Sequence, residues 1–74
     1  MENKNEKFTR LANARLANIL EQIRILNNLS NISNYEYDET QITDLFKILE
    51  RNIKSSKKVF IDGAEKLKEK KALK

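Results

Sequence analysis

One face position recurs through the second half of this chain in alternating steps of four and three residues, at Ile42, Phe46, Leu49, Ile53, Ser56, Phe60, Gly63 and Leu67, with Leu45 and Ala64 beside it. Only an α-helix brings residues at that spacing onto one side, and the alternation is that of a heptad seam, along which helices pair lengthwise. The chain has no proline and a single glycine. Nothing covalent interrupts such a helix except Gly63, which costs roughly 1 kcal/mol of helix propensity relative to alanine. The start of the helix is written in its flanking residues. Asp38 caps, Gln41 three residues later answers it as a capping box, and Tyr37 staples onto Ile42. The spacing therefore predicts a second helix over about 39–61, followed by a basic tail, 62–74, that either stays helical or frays.

The first half carries its own stripe: Phe8, Leu11, Ala12, Leu16, Ile19, Leu20, Ile23 and Leu26, again in threes and fours. This predicts a helix from about Asn5 to Asn28. Ala14 and Ile25 fall close together on its opposite side, where Ile25 offers a second contact surface. Between the helices, residues 29–37 are too rich in Asn and Ser to continue either one, because these side chains hydrogen-bond their own backbone. A connector of about nine residues returns the second helix along the first. The expected fold class is all-α: an antiparallel αα-hairpin with the longer helix second, in a single helical domain spanning 1–74. A short third helix starting near Asp62 and folding back is the weaker alternative, since no turn sequence precedes it.

Two helices meeting along one stripe bury too little apolar surface to offset the conformational entropy of ordering 74 residues. The hairpin is therefore expected to pair with another hairpin as a four-helix bundle, most simply a homodimer, or to dock on a larger protein.

Function classes fall away for chemical reasons. There is no cysteine and no histidine, so there is no thiolate or imidazole nucleophile, no disulfide and no ordinary zinc site. No glycine-rich loop is present to cradle a phosphate. Asp38, Glu39 and Asp44 cluster, but at a helix start, where the dipole stabilises acids without any catalytic role. Glu50 with Lys54 and Glu65 with Glu69 are helical neighbours, attractive and repulsive respectively. The expectation is a protein that is not an enzyme, with no catalytic residue, cofactor or metal, and no evident small-molecule ligand.

The connector is the most distinctive segment. Asn27, Asn28, Asn31 and Asn34 with Ser30 and Ser33 supply self-bonding turns, and Leu29, Ile32, Tyr35 and Tyr37 supply apolar anchors. These make a helix-to-helix turn. An exposed Asn/Tyr surface could also recognise a partner, because tyrosine combines a rigid apolar face with a polar tip. The candidate partner-binding residues are Ile25, Leu29, Asn31, Asn34, Tyr35 and Tyr37. The run from Arg24 to Tyr37, followed by the acidic cap, resembles a motif of short uncharacterised bacterial helical proteins. That resemblance covers about half the chain and implies that the connector is one unit; it carries no activity.

The net charge of +4 is unevenly spread. Residues 1–36 carry net +1, residues 37–53 net −2 and residues 54–74 net +5, counted from the sequence. Arg51, Lys54, Lys57 and Lys58 are expected on the outer side of the second helix, running on into Lys66, Lys68, Lys70, Lys71 and Lys74. Such a strip can neutralise phosphates and makes nucleic acid the alternative partner. Interleaved acids and the scarcity of arginine weigh against it. The N-terminus lacks the apolar core of a signal peptide and no apolar run approaches a membrane span, so the expected location is cytoplasmic, without a membrane role. The Asn, Lys and Ile bias with small size fits a bacterial or mobile-element protein. Two matches to the glycosylation pattern, at Asn28 and Asn31, are then chance occurrences.

Overall fold

Asn3 caps the first helix, which starts at Lys4, one residue ahead of the expected start, for a reason visible in the sequence as Asn-x-x-Glu. The Glu6 N–H donates to Asn3 Oδ1 at 2.8 Å, and the Asn3 N–H donates back to Glu6 Oε1 at 3.5 Å. This reciprocal capping box satisfies two of the amide groups that a helix start leaves orphaned. Asn3 itself is extended, with φ −83° and ψ 173°, as a cap residue must be. The computed structural model to which these distances belong describes residues 1–72, with side chains described as far as Lys70.

Helix α1 spans Lys4–Asn27 and is 24 residues long. A single 3-10 turn, Asn28–Ser30, follows it, and helix α2 spans Glu39–Ala72 with 34 residues. Among the described residues all regular structure is helical, and the second helix is the longer. The chain divides into two units, Met1–Glu36 and Tyr37–Lys74.

In the first unit, charge follows the helix dipole, with Glu6 in the first turn of α1 and Arg24 in the last. Arg10 reaches back to Glu2 with a two-pronged ion pair of 2.8 and 3.0 Å. Arg24 forks onto Glu21 one turn earlier, its Nε donating at 3.0 Å. Both pairs are solvent-exposed, so they order side chains more than they stabilise the fold. Helix α1 ends where Asn28 turns its N–H to the carbonyls of Ile25 and Leu26.

The second unit opens on the expected cap. The Gln41 N–H donates to Asp38 Oδ1 at 2.9 Å, the Asp38 N–H donates to Gln41 Oε1 at 3.0 Å, and the Ile42 N–H closes the first turn on Asp38 O at 3.1 Å. From there α2 continues without interruption past Gly63 to Ala72. Residues 62–72 thus extend the second helix instead of forming a separate folded-back one. The physical reason is additive: the glycine penalty is a single one, and Ala64, Glu65, Lys66, Leu67, Lys68, Glu69 and Lys70 around it are all strong helix formers. A Cβ placed on Gly63 would meet no atom within 4 Å. No described residue has a positive φ, so the turns between the helices need no glycine.

Candidate functional site

The connector is held by its own side chains. Ser30 Oγ donates to Asn27 O at 2.7 Å, securing the 3-10 turn. Asn31 then organises the next one: its Oδ1 accepts the Ser33 N–H at 2.9 Å, and its carbonyl accepts the N–H groups of Asn34 at 3.1 Å and Tyr35 at 3.0 Å. An Asn at the head of such a turn mimics a backbone group with its side chain, which is why Asn and Ser crowd this segment. Asn31 is therefore a structural residue of the turn, and its side-chain oxygen is engaged in that role. Leu29 sits in the 3-10 turn, and Ile32, at the tip, is 82% exposed. Ile25, in the last turn of α1, and Tyr35 are exposed as well. Asn34 and Tyr35 share the Asn31 turn with Ile32 and Ser33. Tyr37 belongs to the second unit, directly before the Asp38 cap.

The seam of α2 forms the second surface. Ile42 and Phe46 are exposed, Leu49 is half-buried, and Ile53, Phe60 and Leu67 are 65%, 60% and 62% exposed. Leu45, Ile48 and Val59 are exposed on the flank of the same face. The apolar side of α2 is accordingly wider than a single seam, broad enough for two neighbouring helices. In α1 the stripe behaves alike: Leu11, Ala12 and Leu26 are half-buried, while Phe8, Leu16, Ile19, Leu20 and Ile23 are exposed.

A continuous α2 redistributes the basic residues. At about 100° per residue, Arg51, Lys54 and Lys58 fall on one face together with Lys47, which the sequence reading left out of the strip. The face does not remain basic. Asp62, Glu65 and Glu69 continue the same row, so a basic block gives way to an acidic one along α2. Lys57 and Lys68 lie to one side of that row, Lys66 and Lys70 to the other. The single uninterrupted strip expected from the sequence is thereby divided among three sides of the helix. Lys71 belongs to α2 through its backbone, and Lys74 lies outside the described residues.

In the first unit Arg10 pairs with Glu2, and Arg24 with Glu21. Arg24 beside Glu21 holds that carboxylate below the ordinary glutamate range, and each guanidinium is raised by its carboxylate partner. Both are consequences of hydrogen bonding to the charged form, with no burial behind them. Among the described residues no three acidic side chains gather as a metal site would require, and no helix is long and apolar enough to cross a membrane. Comparisons with protein-family models, with curated proteins and with solved structures find no match to this chain.

Proposed function

We propose that this chain is a non-enzymatic helical interaction protein, an accessory or regulatory subunit that works by self-association or by docking on a larger protein. One observation carries the reading: the apolar face of α2, from Ile42 to Leu67, is exposed at every large apolar residue except half-buried Leu49. Isolated surface hydrophobics are ordinary, but a contiguous stripe of them is characteristic of an interaction surface. The stripe on α1 supports the same reading, and the two together suit an antiparallel hairpin assembled as a four-helix bundle. In that arrangement the flank formed by Leu45, Ile48 and Val59 would face one neighbour and the seam another. The connector, with Leu29, Ile32 and Tyr35 exposed around the Asn31 turn, would close one end of the assembly or add a contact of its own. Light scattering over a concentration series tests the self-association branch, with a mass above 8.7 kDa at micromolar concentration as the expected result. A strict monomer that captures no protein from its native host argues against both branches.

A second reading, a nucleic-acid accessory, rests on the face shared by Lys47, Arg51, Lys54 and Lys58. Four cations in a row suffice for weak, salt-dependent phosphate binding. The acidic block that follows on the same face limits it. A retardation assay with DNA and RNA across a salt series decides this reading directly.

A further inference from the structure

Gly63 occupies a seam position in the middle of a long helix, yet neither of the usual reasons for a glycine applies. Its backbone is not in the left-handed region, and an added Cβ would meet nothing within 4 Å. Ser56 is the other small residue of the seam. In heptad terms Phe46, Ile53, Phe60 and Leu67 hold one core position, and Ile42, Leu49, Ser56 and Gly63 hold the other. Two antiparallel copies of a heptad helix stack one kind of core position against the other kind. If the copies are centred between Lys54 and Ser55, four layers close at once. Ile42 meets the other copy's Leu67, Phe46 meets Gly63, Leu49 meets Phe60 and Ile53 meets Ser56. Each small residue faces a large one, so no layer stacks two small residues and leaves a void. The flanking positions obey the same centre with the one-residue offset that heptad geometry imposes. There Glu50 lies opposite the other copy's Lys57, twice by symmetry, and the stem of Lys66 lies along Leu45.

In-register parallel pairing does worse on both counts. It stacks Gly63 on Gly63 and Ser56 on Ser56, leaving voids, and sets Phe46 on Phe46 and Phe60 on Phe60. It also sets Glu50 opposite Leu45 and Lys57 opposite Asn52, with no ion pair gained. We infer that the α2 seam binds the α2 seam of a second copy of this chain, antiparallel and centred between Lys54 and Ser55. Gly63 is the notch that receives Phe46. This inference rests on the self-association branch of the proposed function and specifies its partner and register.

The chain contains no cysteine, so single thiols can be introduced cleanly. Ile42→Cys and Leu67→Cys chains are prepared separately and mixed, then treated with a short bis-maleimide. The mixture is expected to give a covalent heterodimer, while neither chain cross-links with itself, since identical positions at the helix ends stand roughly 35–40 Å apart in the antiparallel pair at 1.5 Å per residue. Self-linking of each chain alone would mean parallel pairing and overturn the inference. So would a light-scattering dimer that cross-links in no mixture, although the self-association reading would then stand. A monomer at every concentration overturns both.

Two further variants distinguish register from folding. Glu50→Lys should weaken association about tenfold, and adding Lys57→Glu in the same chain should restore it, because the two side chains are seven residues apart along one helix and meet only across the pair. A double variant as weak as the single one rejects the register. Gly63→Leu should weaken association at least tenfold while raising the helix propensity of α2, so the loss is not one of folding. Association unchanged by a leucine at position 63 likewise rejects it.

Discussion

At the scale of single residues, most of what orders this chain is a hydrogen bond between groups two to four residues apart. Asp38 and Gln41 satisfy each other's neighbouring amides, as Asn3 and Glu6 do in α1, and Asn31 governs a turn with one carboxamide oxygen and one carbonyl. Removing the Asp38 side chain leaves early amides of α2 without a protein acceptor. Asp38→Ala is expected to cost about 1 kcal/mol, read as a lowered thermal midpoint by circular dichroism, whereas Asp38→Asn should retain most of the cap. The bond to Arg24 displaces the titration of Glu21 downward. A depressed carboxylate favours the folded state above its unfolded pKa, and that contribution is lost as pH falls through the folded value. In an NMR titration Glu21 should protonate below the ordinary glutamate range as acid is added, and Arg24→Gln should return it towards that range. A Glu21 titration unchanged by that substitution would exclude the ion pair as the cause.

At the scale of elements, the decisive fact is that α2 runs through Gly63. The four-three spacing of the seam continues to Leu67, and the strong helix formers on the far side of the glycine outweigh its single penalty. Gly63→Ala adds a methyl group where nothing stands within 4 Å and removes backbone freedom from the unfolded chain. It should stabilise α2 by up to roughly 1 kcal/mol, visible as increased helicity in the far ultraviolet on warming. A decrease would show that the added methyl group costs more in the space above position 63 than the helix propensity gains, since the helical backbone there does not require glycine. The unbroken helix also fixes the rotation of every later residue, which is why Asp62, Glu65 and Glu69 fall in line with Arg51 and Lys58. A basic tail counted along the sequence thus becomes, in three dimensions, a surface whose charge changes sign along one face.

At the scale of the whole molecule, the proposed self-association would tie stability to the apolar stripes of the two helices. Leu49 is the half-buried residue near the middle of the seam. Leu49→Asp places a charge where burial on association would leave it without a partner. It should abolish self-association and lower helicity in parallel, because helices of this kind owe most of their stability to packing of the apolar face. A variant that stays helical as a monomer would show that α2 stands without its partner and would weaken the case for an obligate assembly.

The sequence by itself determined the helices, the Asp38 cap and the segment that joins the two, since each depends on residues within one or two turns of one another. The spacing from Ile42 to Leu67 needs no knowledge of distant chain to be read as one helical face. The Asn3 box was equally legible in Asn-x-x-Glu, but the stripe that begins at Phe8 drew the boundary later. Two things were decided only in three dimensions. Whether α2 survives Gly63 is a balance between one local penalty and the summed propensity of its neighbours, and a composition of lysines and acids does not resolve it. Which charges share a face depends on rotation accumulated at about 100° per residue, a quantity that exists only once the helix is known to be continuous.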